Sequence, residues 1–112
     1  MAIHRKENLT PDSNDKGITM TSLSGPERGD KMITVKELFL EPGAEIPIHL
    51  HPDSEETHFL IDGELTAILG NNEFVMNSRD CMLAPAGMPH GMKNNSTQTA
   101  RLLVMFPKIK FG

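Results

Sequence analysis

The chain has 112 residues and a formal net charge of −4, and 38% of its residues are hydrophobic. This length suits one domain with a modest core, and the acidic balance argues against nucleic acid or an anionic membrane as a partner. The sequence has no Trp and no Tyr, which excludes tyrosine chemistry, and no apolar run approaches the roughly 20 residues of a membrane span.

Residues 1–17 are polar and are interrupted by Pro11, Asn14 and Gly17, which is typical of a flexible or docking arm. The domain is predicted to cover residues 18–112, where short apolar segments are separated by turn residues. Such spacing without a long helical stripe favours an all-β barrel or sandwich. The predicted strands are 18–23, 32–40, 45–51, 56–61, 64–69, 73–76, 81–84, 89–93 and 100–106.

Three of the five histidines lie in a short stretch around residues 49–58. Side chains alternate along a strand, so His49 and His51 are expected to point to the same side, where both can bind one metal ion. A carboxylate that follows, at Glu56 or its neighbour Glu55, can fold back over the pair. Two imidazoles and one carboxylate form a mixed ligand set suited to Fe, Mn, Ni, Co or Zn.

A second polar cluster follows about forty residues later, where Pro85-Ala86-Gly87 ends one predicted strand and His90 opens the next. In an antiparallel barrel, this return strand can place His90 across from the first pair. Three imidazoles and one carboxylate leave open positions on an octahedral metal, as catalysis requires.

The two stretches resemble the two conserved motifs of the cupin superfamily. The first motif reads Gly, five residues, His-x-His, four residues, Glu, six residues, Gly, and it corresponds here to Gly43, His49, His51, Glu56 and Gly63. The second reads Pro-x-Gly, two residues, His, three residues, Asn, and it corresponds to Pro85, Gly87, His90 and Asn94.

The resemblance implies a single-domain jelly-roll β-barrel of the cupin type. It also implies that one divalent transition metal (Fe, Mn, Ni or Zn) is bound by His49, His51, Glu56 and His90. Glu55 fits less well because it lies one residue too far from Gly63. The family usually has a glycine where this chain has Arg79, and the turn is expected to be made by Asn77-Ser78 instead, because Asn tolerates positive φ.

Three further residues are candidates for the interior of the site. His58 follows Glu56 by two positions, so it should share the same face and orient a ligand or move a proton. Asn94 is predicted either to contact substrate or ligands or to satisfy a buried strand end, and Met92 is predicted to line the cavity. Glu56 and His58 are the predicted catalytic pair.

These residues predict an enzyme that acts on a small oxygenated substrate, by dioxygenase-type C–C cleavage or by isomerase, cyclase or lyase chemistry. The alternative is a non-catalytic module that senses or binds a metal or small ligand. The resemblance also implies a homodimer, with residues 18–23 and 100–106 as candidate contacts.

Cys81 is the single cysteine of the chain, which fits a reducing compartment. The first residues have no apolar stretch typical of a signal peptide. A cytoplasmic location is therefore expected. Cys81 is predicted to be a small buried hydrophobic residue, because Arg79 is the only cation beside it.

Overall fold

Ten antiparallel β-strands form the computed structural model, which describes residues 3–30 and 32–107. Two short 3-10 helices, Lys6–Asn8 and Pro26–Arg28, accompany them, and neither is long and apolar enough to cross a membrane. The strands are β1 Asp12–Ser13, β2 Ile18–Ser24, β3 Ile33–Leu40, β4 Glu45–His49, β5 Glu56–Asp62, β6 Glu64–Leu69, β7 Asn72–Asn77, β8 Cys81–Ala84, β9 His90–Lys93 and β10 Ala100–Pro107.

The strands form two sheets that pack as a jelly-roll sandwich, which confirms the predicted all-β fold. The first sheet has the order β1-β2-β3-β10-β5-β8, and the second has the order β4-β9-β6-β7. Every predicted segment contains a strand. The structure adds β1, which lies within the stretch that the sequence predicts to be an arm. This short strand pairs with Met20 and Thr19 of β2.

The core lies between the two sheets and follows from strand alternation. Residues of even number on β3, β5 and β10 face inward, whereas their odd-numbered neighbours face outward. Asp62-Gly63 makes the tight connection between β5 and β6, and Gly63 has the positive φ of 104° that its turn requires. The buried apolar side chains that pack together as the main core cluster are Leu38, Leu40, Ala44, Leu60, Leu65, Ala67, Met76, Met82, Met92, Ala100, Leu102 and Val104.

The outer face of the first sheet corrects the prediction for Cys81, because this side chain is exposed. Met82 and Ala84 take the inward positions of β8, so Cys81 and Leu83 point outward. Outward positions on β2 and β10 are also apolar and half-buried, at Leu23 and Leu103. β10 is paired on both sides, so a contact through residues 100–106 could not use a β10 edge, and the homodimer stays a prediction.

The turn between β7 and β8 corrects a second prediction. Arg79, and not Asn77 or Ser78, has the left-handed backbone conformation, with φ of 76°. Its amide donates a hydrogen bond to the carbonyl of Leu60 at 2.6 Å, and its guanidinium lies 5.9 Å from the ring centre of Phe59. Such a φ costs a non-glycine residue on the order of 1 kcal/mol, and these two contacts offset part of that cost.

Candidate metal centre

An irregularity in β4 places His49 opposite His90. β4 is an edge strand that contains Pro47, and edges and bulges tolerate a residue without an amide proton. Ile46 pairs with Met92 of β9, but the register then shifts so that His49 pairs with His90. The two imidazole rings are consequently 4.4 Å apart between centroids.

Gly91 permits this close approach of β4 to β9. A Cβ atom at this position would lie 2.8 Å from the Ile46 carbonyl oxygen and 3.2 Å from backbone atoms of Ile48. Both contacts are with backbone, which cannot move aside without displacing β4. Gly91 is not among the residues predicted for the site, although its position directly after His90 in a strand was a signal of close backbone approach.

His51 reaches the cluster by a different route from the one predicted. β4 ends at His49, so His51 lies in the following loop and does not share a strand with His49. The ring of His51 is nevertheless 5.2 Å from that of His49 and stacks against Phe106, at 6.3 Å and an angle of 14°. Phe106 is thus a site neighbour that the sequence pattern did not predict.

Glu56 is the carboxylate that closes the cluster, and Glu55 is not, because Glu55 is exposed whereas Glu56 is buried. The Glu56 Oε2 atom is 3.0 Å from His51 Nε2, and its Oε1 atom is 3.4 Å from His90 Nε2. One ligand atom from each of His49, His51, Glu56 and His90 lies within 4.8 Å of the others. Metal–ligand bonds of about 2.1 Å would place ligand atoms roughly 3 to 4 Å apart, so these four residues could hold a metal ion.

Hydrogen bonds at Nδ1 of His49 and His90 leave Nε2 of both rings free to bind a metal. His49 Nδ1 is 2.8 Å from the carbonyl oxygen of Pro47, and His90 Nδ1 is 3.0 Å from that of Met88. A carbonyl only accepts, so Nδ1 carries the proton in both rings and Nε2 presents a lone pair. Within the described part of the chain, His90 Nε2 is buried without a hydrogen-bond partner.

His90 Nε2 and Glu56 Oε1 therefore face each other as two acceptors at 3.4 Å. No proton lies between them in this tautomer, so only a cation would make the contact favourable. The donor set, two fixed imidazole lone pairs with a third imidazole and a carboxylate beside them, fits a divalent transition metal.

Electrostatics favour the protonation states that bind metals. Burial tends to raise the pKa of Glu56, but the hydrogen bond from His58 and the charges of His58, His51 and His90 lower it below its ordinary value. Burial lowers the pKa of His90, and His49 adds to this effect, against the opposing influence of the Met88 carbonyl and Glu56. These two shifts favour the ionised form of Glu56 and the neutral form of His90, which are the forms that bind a metal.

His58 points into the interior as the alternation predicts, and it is buried beside Glu56. Its Nε2 atom is 2.8 Å from Glu56 Oε1 and donates to it. Its Nδ1 atom is buried and has no hydrogen-bond partner among the described residues. His58 therefore orients the carboxylate through one nitrogen and retains the other for a further contact.

Asn94 and Met92 are both buried, but the structure gives them different surroundings from those of the ligands. The Asn94 amide donates to the carbonyls of Leu40 and Gln98, both at 2.8 Å, and its oxygen accepts from the amide and hydroxyl of Ser96. Its hydrogen bonds within the described chain all go to other groups of the protein, which favours the structural alternative for Asn94. Met92 belongs to the hydrophobic core beneath His90.

We expect Gly91→Ala to weaken zinc binding at least about tenfold, as changes in the support of ligands typically do. The added methyl group would push the β4 backbone away from β9 and separate His49 from His90. Competition with a chromophoric chelator measures the affinity, and circular dichroism checks the fold. Gly25→Ala is the control, because the three atoms nearest to its methyl group all belong to the flexible side chain of Glu27 and not to backbone; equal affinities for the two variants would contradict the assigned role of Gly91.

The fold and the site together define a small jelly-roll protein with a candidate metal centre of three histidines and one glutamate between its sheets. The sequence model of the cupin domain matches residues 37–106. The chain belongs to the cupin family, which confirms the predicted resemblance.

Similar proteins from this family have diverse activities. Quercetin 2,3-dioxygenase from Bacillus subtilis (strain 168) is 33% identical over 57 residues, which are 51% of this chain and 17% of that protein. The curated relatives are matched over only 17% to 42% of their own length.

Two solved structures are similar over most of the chain. A sugar phosphate isomerase from Silicibacter pomeroyi is 26% identical, with a TM-score of 0.74 over 83% of this chain and 60% of that one. The polyketide cyclase RemF from Streptomyces resistomycificus is 21% identical, with a TM-score of 0.83 over 96% of this chain and 79% of that one, and this likeness shows the shared fold.

Proposed function

We propose that this cupin is a metal-dependent enzyme that acts on a small oxygenated substrate. The observation that carries the proposal is the contact between His90 Nε2 and Glu56 Oε1, two buried acceptors that face each other with His49 and His51 beside them. A bound divalent metal would supply Lewis acidity at this point, polarising substrate oxygens.

The two sides of the site differ in exposure, which supports access by a substrate. Glu56 and His90 are buried on the core side, whereas His49 and His51 are only partly buried. A ligand approaching from solvent meets the His49 and His51 side first, while the buried pair lies against the core and away from bulk water. This asymmetry favours a reactive site over a fully enclosed structural one.

Glu56 and His58 are the residues that we propose to handle protons. The hydrogen bond from His58 Nε2 holds one carboxylate oxygen of Glu56 in place at 2.8 Å. Glu56 would accept a proton as a carboxylate and return it from the same carboxyl group, while the hydrogen bond from His58 keeps that group oriented. The pair can therefore store and return one proton within the interior.

The reaction class is proposed from the activities of the similar proteins. A dioxygenase, a cyclase and an isomerase occur among them. A metal that polarises a substrate oxygen as a Lewis acid can serve all three kinds of reaction. We propose dioxygenase-type C–C cleavage first, because the dioxygenase is among the relatives identified by sequence, whereas the cyclase and the isomerase are matched as solved structures, and isomerase, cyclase or lyase chemistry second.

The test begins with elemental analysis of protein purified without chelators, where we expect about one transition-metal ion per chain. Protein loaded with Fe, Mn, Ni or Zn is then incubated with small keto and enol acids while oxygen consumption and product formation are followed. Turnover that is lost in Glu56→Gln, with the metal still bound, supports the enzyme. Tight binding of metal and acid without turnover in any metal form would establish the non-catalytic module instead.

A further inference from the structure

The inner face of the first sheet changes from apolar to polar along its strands. In one row of the register, Leu102 pairs with Leu38 on one side and Leu60 on the other. Two residues further along β10, Val104 pairs with Lys36 and His58. The sheet therefore places a lysine in the same row as the histidine that holds Glu56.

Strand alternation places Lys36 on the inner face. Its neighbours of the same parity on β3, Thr34 and Leu38, are both buried, whereas Glu37 lies with Arg101 on the outer face. Lys36 itself is half-buried. A lysine at such a position can extend its four-carbon stem along apolar surface and present the ammonium group at the polar end of the inner face, in the row of His58.

The ammonium group of Lys36 has no ion-pair partner within 4 Å in the described parts of the chain, since none of the salt bridges found there involves it. The charge of Lys36 is felt by the carboxylate of Glu27. The pKa of Glu27 is lowered mainly by the hydrogen bond from Ser22, and only to a smaller extent by Lys36. The Glu27 carboxylate is thus engaged by Ser22, and Lys36 remains available to another anion.

We infer that Lys36 binds the free carboxylate of a small organic acid whose other end lies at the metal centre. This inference rests on the proposed function, and it narrows the substrate class to acids with two anionic ends. Adjacent strands are about 4.8 Å apart, so the backbones of Lys36 and His58 are about 10 Å apart. A short dicarboxylate fits between an ammonium group extending from β3 and a metal beside Glu56.

The experiment compares succinate with succinamate, its half-amide, as ligands of zinc-loaded protein by isothermal titration calorimetry. Both compounds offer one carboxylate to the metal, and only succinate offers a second to Lys36. A charge-assisted contact of this kind corresponds to about a tenfold preference or more for succinate. We expect that preference in the wild-type protein and its loss in Lys36→Met, which keeps the apolar stem and removes the charge.

Lys93→Met is the matched control, because Lys93 is likewise half-buried and carries the same charge, but it lies on β9 and pairs with Glu45 at 3.4 Å. This variant should keep the preference for succinate, and Lys36→Gln should repeat the loss if Lys36→Met folds poorly. Absence of the preference in wild-type protein, its persistence without Lys36, or its loss in both lysine variants would each overturn the inference. Failure of zinc to bind the wild-type protein would contradict the proposed function and, with it, the role of Lys36. If zinc binds normally, a missing preference for succinate contradicts the role of Lys36 alone.

Discussion

His90→Ala is expected to weaken zinc binding by more than about 100-fold, beyond the range that loss of an outer hydrogen-bond partner causes. His90 is buried at the middle of the cluster, with the rings of His49, His58 and His51 at 4.4, 5.4 and 5.9 Å. Its Nε2 lone pair faces the Glu56 carboxylate, and no other described side chain occupies that position. Zinc affinity is measured by chelator competition, with cobalt absorption as a second readout of the ligand geometry.

His51→Ala should cause a smaller loss, of at least about tenfold. His51 lies in a loop beyond β4 and is partly exposed, so water can occupy its position more easily than that of His90. His4→Ala, in the exposed N-terminal stretch, is the control and should leave affinity unchanged. Wild-type affinity in a folded His90→Ala protein would remove His90 from the ligand set and with it the reason for placing a cation beside Glu56.

The four residues of the candidate centre were predictable because the spacing of the histidines and the glutamate does not depend on where each strand ends. The route by which they meet was not predictable. Alternation predicted that His49 and His51 share a strand, but β4 ends at His49 and the loop brings His51 back. The register shift beside Pro47 is a property of two paired strands, and the periodicity of one strand contains no information about it.

Short strands also limit what composition can predict about burial. β8 has four residues, so its pattern fits either face equally well, and only pairing of Phe59 with Cys81 on the outer side shows that the thiol is exposed. Lys36 is the opposite case, because its residue type indicates a solvent-facing position and the sheet places it on the inner face. A lysine in a strand is typical of a solvated position, and its inward orientation becomes evident only from the register with Val104.

Zinc affinity is expected to fall about 10- to 100-fold when the pH is lowered from about 7.5 to about 5.5, because protons compete for imidazole nitrogen and an ordinary histidine titrates near pH 6.5. His90 should contribute least to this fall. Burial lowers its pKa, so it stays neutral through the upper part of the window and takes up a proton only at lower pH. Glu56 also remains ionised, since its pKa is lowered from the ordinary value for a glutamate.

Calorimetry of zinc binding in buffers of different ionisation enthalpy counts the protons released at each pH, which separates competition at the ligands from unfolding. The count should rise as the pH falls, since more ligands must give up a proton to bind the metal. Because the lowered pKa of His90 reduces proton competition at that ring, the centre should keep part of its affinity where a cluster of ordinary histidines would lose it. An affinity that is independent of pH across this window would mean that zinc binds outside the imidazole cluster.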